Sequence, residues 1–155
     1  MDVYAKLKEL GIELPTPPLP MGIYKPVKQV GNMLYVSGQG PTIDGVPVVT
    51  GKVGNERTLK EGQEAARLCA LNALSNLHSY LGDLNRIKST VKLLGFVASA
   101  PDFGRQPEVI NGASQLLVDI FGEENGIGAR SAIGTNALPS NITVEIEFVF
   151  EISAA

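Results

Sequence analysis

The sequence predicts an α+β fold, a two-layer sandwich in which two helices cover one face of a mixed β-sheet. Three observations predict it. Residues 58–81 and 108–121 carry apolar side chains at helical spacing. Residues 143–152 alternate apolar and polar with the period of a half-buried strand. The segments run strands, helix, strand, helix, strands within 155 residues, which suits one domain, since domains typically span roughly 100–200 residues.

The elements follow in order. Val3, Tyr4, Leu7 and Leu10 predict a short amphipathic helix over residues 2–10. Pro15, Pro17, Pro18 and Pro20 then rule out helix, because proline lacks an N–H and fixes φ. Residues 1–21 therefore read as a short helix and an extended proline-rich arm, and residues 22–155 as a single domain. Residues 27–30 and 33–36 form a hairpin around Gly31-Asn32. The second strand ends in a glycine-rich bend, Ser37-Gly38-Gln39-Gly40-Pro41. Asp44-Gly45 marks another turn, followed by a short strand over 46–49.

Thr58 caps the longest helix, with Glu61 completing a capping box. Its stripe of Ala66, Cys69, Ala70, Ala73, Leu74, Leu77 and Leu81 is small enough to lie close to a sheet, and Gly82 ends it. Val91, Leu93, Leu94, Phe96 and Val97 predict a central strand, Ile87–Ala98. The second helix, 108–121, buries Val109, Ile110, Ala113, Leu116, Leu117, Ile120 and Phe121 and stops at Gly122. A loop over 122–128, a strand over 130–137 and a turn at 138–141 lead to the last strand. There Val144, Ile146, Phe148, Phe150 and Ile152 face one way, and Glu145, Glu147, Val149 and Glu151 the other. That Glu-bearing face is either solvated or part of a subunit interface that holds a site.

Composition excludes several function classes. The net charge is -3, which leaves no positive excess for a nucleic-acid backbone. One Cys and one His cannot build a structural zinc site or an intrachain disulfide. No apolar run reaches the roughly 7–15 residues of a signal-peptide core or the ~18 of a membrane span. The expectation is a cytoplasmic protein that engages neither membrane nor nucleic acid. Cys69, among Ala and Leu, reads as a buried small hydrophobe, and His78 as a surface or capping residue near a helix C-terminus.

Four fragments together resemble the Rid family, the YjgF-like or endoribonuclease L-PSP-like reactive intermediate/imine deaminases. They are Gly22-Ile23-Tyr24; Gly31-Asn32-Met33-Leu34-Tyr35-Val36-Ser37-Gly38-Gln39; Asp102-Phe103 with Val109-Ile110-Asn111; and Ala129-Arg130-Ser131 leading to Leu138-Pro139 and Val144-Glu145-Ile146-Glu147. Their order and spacing carry the match over about residues 22–152. The resemblance implies a chorismate-mutase-like fold, a homotrimer with its sheets as an inner barrel, and active sites in the clefts between subunits. It implies cofactor-free and metal-free hydrolysis of 2-imino or 2-enamino acids to 2-keto acids and ammonia. The partner is then a small-molecule carboxylate substrate.

The chemistry agrees with the residue types. A substrate carboxylate needs a planar, always-charged fork, and Arg130 stands at the family's position for it. On sequence alone, an Arg at a strand start is more often a surface ion pair. Water must be relieved of a proton, and Glu145 stands at the family's position for that base. Burial beside Glu147 would raise its pKa, although spacing alone favours two solvated glutamates. The resemblance assigns Tyr24 and Ser37 to the lining of the site. Gly38 lets backbone approach closely, since it lacks a Cβ. Ala132 stands where many imine-deaminating members have Cys, and Asn111 reads as structural support. Residues 136 and 137 also depart from the pattern, and the arm to about residue 21 has no counterpart in short members. A second reading is a carboxylate-binding trimer without turnover, acting as sensor or chaperone. The third is an endoribonuclease, which a lone His and net charge -3 support poorly.

Overall fold

A computed structural model describes residues 1–154. Helix α1 spans Val3–Glu9, capped by the Asp2 carboxylate, which accepts from the Tyr4 and Ala5 N–H groups. The hairpin joins β1 (Val27–Val30) to β2 (Met33–Gln39) through Gly31, whose φ of +60° is the left-handed region that glycine adopts freely. A second, two-residue hairpin, β3 (Thr42–Ile43) and β4 (Val46–Pro47), turns on Asp44 and Gly45, both at positive φ. Helix α2 (Leu59–Leu81) has the Thr58/Glu61 capping box and ends at left-handed Gly82.

After a single 3-10 turn come β5 (Ile87–Ala98), α3 (Gln106–Gly126), β6 (Ala129–Thr135) and β7 (Val144–Ile152). The main sheet has the order β1-β2-β7-β5-β6. It is mixed, because β6 runs parallel to β5 while the other pairs are antiparallel. The α3 crossover is what permits that parallel pair.

Both long helices pack on the same face, over Leu34 and Val36 of β2, Leu93 and Val97 of β5 and the five apolar residues of β7, all buried. The opposite face has no covering layer among the described residues. It shows Tyr35 and Ile133 about half exposed beside Glu147, so it is apolar as well as acidic. The N-terminal helix joins the same core through buried Val3 and Leu7. Its Tyr4 hydroxyl accepts from the Leu84 N–H at 2.8 Å and lies 2.9 Å from His78 Nδ1, while Gly82 N–H caps on the His78 carbonyl.

Four expectations need adjustment. Helix α3 begins at Gln106, earlier than residue 108, because Pro107 fits the first helical turn, where an N–H has no partner anyway. Gly122 interrupts the helix at φ +80° but does not end it, and a further turn runs on to Gly126 where a loop was expected. Strand β6 stops at Thr135, whose hydroxyl turns back to the Ala137 carbonyl, so residues 136–137 lie outside it. The strand expected over 46–49 is shorter, Val46–Pro47.

The two helices touch at Gly112. A Cβ there would fall on the Gln63 carbonyl oxygen of α2, and backbone cannot retreat as a flexible side chain can. Gly112→Ala should therefore destabilise the fold by about 1–3 kcal/mol, the usual cost of overpacking. A urea titration measures it, and an unchanged midpoint would contradict so close a contact.

Candidate active site

Alternation along β7 puts Glu145 on the uncovered face, across from Phe96 of β5. The neighbouring strand makes room for it. Val36 pairs with Phe148 and Gln39 with Ile146, so Ser37 and Gly38 together face Glu147 alone. This β-bulge locally re-aims β2, as bulges beside functional sites often do. The Glu145 side chain lies against Gly38, where a Cβ would come within 2.9 Å of the Glu145 Cδ. A side chain at 38 would thus displace the carboxylate from this position. Burial and then the nearby Glu147 charge hold the Glu145 carboxyl above its ordinary pKa.

Ser37 donates its hydroxyl to the Lys25 carbonyl at 2.6 Å, tying the bulge to the segment that follows Tyr24. The Tyr24 hydroxyl accepts from the Met21 N–H at 3.1 Å, and the ring stays about half exposed. Tyr24, Ser37, Gly38 and Glu145 line one cleft of about 910 Å³. The proline-rich arm, Thr16 to Met21, also lines it, as do Pro47 and Ile142.

Sequence reasoning missed the residues that hold this cleft together. Buried Asn72 donates to the Gly40 and Thr42 carbonyls, at 3.0 and 2.9 Å. Buried Asn76 donates to Gln39 Oε1 at 3.1 Å, and Gln39 donates on to the Ser37 carbonyl at 3.0 Å. Buried Ser75 donates to the Pro15 carbonyl and so pins the arm. The signal was present: polar residues at i, i+3 and i+4, flanking the apolar stripe of one helix.

Arg130 lies elsewhere. It pairs in register with buried Leu93 and shares that residue's helix-covered face, so within one chain it stands on the opposite side of the sheet from Glu145. Its guanidinium donates to Asn111 Oδ1 at 2.8 Å, Ser114 Oγ at 3.1 Å and the Pro107 carbonyl at 3.3 Å. All three acceptors are neutral, so the positive charge is aimed but not compensated. Three of its five N–H donors are used. Ala132 follows on the same face, opposite Gly95, packed against the core. Asn111, read as support, supports Arg130 itself. Cys69 is buried, its thiol directed at the Val144 carbonyl, and burial pushes its pKa well up. Among the described residues, no three His, Cys, Asp or Glu side chains gather as a metal-binding group, and no helix is long and apolar enough to cross a membrane.

A chorismate-mutase-like α+β sandwich with an acid-lined cleft at a sheet bulge defines a class of protein, and comparison with known proteins agrees. Residues 4–151 match the family described as "YjgF/chorismate_mutase-like, putative endoribonuclease". The chain belongs to this Rid/YjgF-like family. It is 44% identical to Protein TCP17 of Trypanosoma cruzi, over 97% of this chain and 94% of that protein. It is 29% identical to a 2-iminobutanoate/2-iminopropanoate deaminase of Dermatophagoides farinae, over 91% of this chain and 94% of the other. A crystal structure of an Agrobacterium tumefaciens protein of unknown function superposes with a TM-score of 0.90 at 45% identity, covering 97% of this chain and 92% of that one.

The raised Glu145 pKa has a stability consequence. Below the ordinary carboxyl range the group is protonated in folded and unfolded chains alike, and burial carries no penalty. As pH rises through the folded-state pKa, ionisation against the buried surroundings removes stability. Glu145→Gln should melt with the wild type near about pH 4 and above it near about pH 7. Equal melting differences at both pH values would mean that Glu145 is solvated in the fold.

Proposed function

We propose that the protein hydrolyses 2-imino or 2-enamino acids to 2-keto acids and ammonia, at sites completed between copies of the chain. The observation that carries this reading is Glu145, a carboxylate lodged against Gly38 with its pKa raised by burial. A carboxylate whose pKa is raised holds and returns a proton more readily than an ordinary one. The mite relative named for imine deamination supports the same reading.

The chemistry runs as follows. Arg130 of one copy binds the substrate carboxylate, with Asn111 and Ser114 fixing the guanidinium plane. In the facing cleft of a neighbouring copy, Glu145 takes a proton from water as the oxygen bonds to the imine carbon. The C=N π pair of the protonated imine moves to nitrogen, giving a tetrahedral aminoalcohol. Glu145 returns its proton to that nitrogen, the C–N bond breaks, ammonia leaves, and the hydroxyl passes its proton to the Glu145 carboxylate to become the keto group. Tyr24 and Ser37 orient substrate and water at the cleft wall, and Ala132 packs beside the arginine. The step consumes one water and requires no redox partner. Three copies around an axis would bury the uncovered sheet faces together as an inner barrel and would bring Arg130 edges to Glu145 clefts.

The nuclease reading gains nothing from the cleft. Within one chain Glu145 and Asp44 line it and no Lys or Arg does, so Arg130 of a neighbouring copy is the one cation proposed there, whereas a phosphate backbone is bound by several.

Light scattering should give a mass near three times 16.4 kDa. With 2-iminopropanoate generated in situ, Glu145→Gln should lower kcat by about 10²–10⁴. Arg130→Ala should raise KM by about tenfold or more, the loss of a charge-assisted pair. The two variants each lack a different half of the site. Mixed and allowed to exchange subunits, they should regain about a quarter of wild-type activity, since a quarter of the interfaces then combine both intact halves. A monomer, or a mixture as inactive as its parts, would sink the shared-site reading.

A further inference from the structure

Within one chain the cleft is far roomier than a three- or four-carbon acid requires. At about 910 Å³ it lies at the upper end of the roughly 300–1,000 Å³ typical of pockets that bury drug-sized ligands. The question is what the extra space recognises, and the arm answers it. Its prolines at 17, 18 and 20 have no N–H, so these backbone positions offer a ligand no donors. Their fixed φ also makes the wall stiff before anything binds, which lowers the ordering cost of binding. The arm is tethered at both ends, by Ser75 to the Pro15 carbonyl and by the Met21 N–H to the Tyr24 hydroxyl. Between the tethers Leu19 and Met21 are 82% and 91% exposed, apolar surface held at the rim of a cleft with nothing of this chain upon it. Pro47 and Ile142 line the same cleft.

Charge narrows the choice. Two carboxylates, Glu145 and Asp44, and no Lys or Arg line the cleft. With the reacting carboxylate held by Arg130 of the neighbouring copy, a second carboxylate would meet only the like charge of this chain's own lining. We propose that the arm selects 2-imino acids with a branched or aromatic apolar side chain, which extends from the reacting carbon onto Leu19 and Met21. This deepens the function proposed above and rests on it for the reaction, though not for the side-chain preference. Each methylene buried in such a pocket is worth about fourfold in binding or in kcat/KM.

The test uses the whole protein and imines made in situ from alanine, leucine, phenylalanine, glutamate and lysine. In parallel, the matching 2-keto acids are titrated by calorimetry. The leucine- and phenylalanine-derived imines should exceed the alanine-derived one in kcat/KM by about tenfold or more, and the glutamate-derived imine should be the poorest. In Leu19→Ser/Met21→Ser the leucine-to-alanine ratio should fall by a similar factor, with the circular dichroism and melting point of the wild type as the check on folding. Turnover that is flat along the series, or best with the lysine-derived imine, overturns the apolar selection and leaves the deaminase reading standing. An unchanged ratio in the folded double variant overturns the role of the arm. No turnover of any imine, with keto-acid affinity still rising with apolar length, defeats the deaminase reading while supporting the selection. No turnover and no length dependence defeats both.

Discussion

Asn72, Ser75 and Asn76 lie buried on a helix whose other inward residues are Ala, Cys and Leu. Buried amides and hydroxyls are tolerated only when their hydrogen bonds are made, since an unmade one costs about 1–3 kcal/mol. Here the partners are the Gly40 and Thr42 carbonyls, the Gln39 side chain and the Pro15 carbonyl. Three otherwise separate pieces of chain, the arm, the bulged end of β2 and the start of β3, are thereby held against α2. The cleft has its shape because this seam must be satisfied. A purely apolar helix face would pack as well but would leave those three segments free to slide.

The bulge and the seam act on the same few residues. Gln39 bridges them, accepting from Asn76 and donating to the Ser37 carbonyl, so the geometry that seats Glu145 on Gly38 is fixed from the helix layer through the sheet. Arg130 is prepared independently, on an edge strand, by α3. Positive and negative groups are thus each pre-oriented on rigid elements, but on different faces of the sheet. This separation lets each be half-buried and aligned without neutralising the other.

Much of this was legible in the residues. The capping box at Thr58 and Glu61, the turn at Gly31 and the alternation from Val144 to Ile152 are local signals, and local signals set these elements. The face that Glu145 takes follows from its apolar neighbours Val144 and Ile146. The face that Arg130 takes does not, because Ala-Arg-Ser-Ala-Ile-Gly-Thr has no clear alternation and β6 is oriented by its pairing with β5. The bulge at Ser37-Gly38 was hidden for the same reason, since it exists only relative to the register of β7. Gly122 looked like a helix stop, and its positive φ fits that reading. Burial of Gly126 against the Leu117 backbone instead draws one more turn onto the core.

The position of β7 has a consequence for synthesis. It is the last strand in chain order yet lies at the centre of the sheet, between β2 and β5. A nascent chain can close the β1–β2 hairpin and the helices, but the apolar rows of β2 and β5 have no common neighbour until residues 144–152 leave the ribosome. At roughly 5–20 residues per second, those open strand edges persist for seconds. The sheet therefore cannot close until residues 144–152 are available, which makes the fold intolerant of truncation within β7.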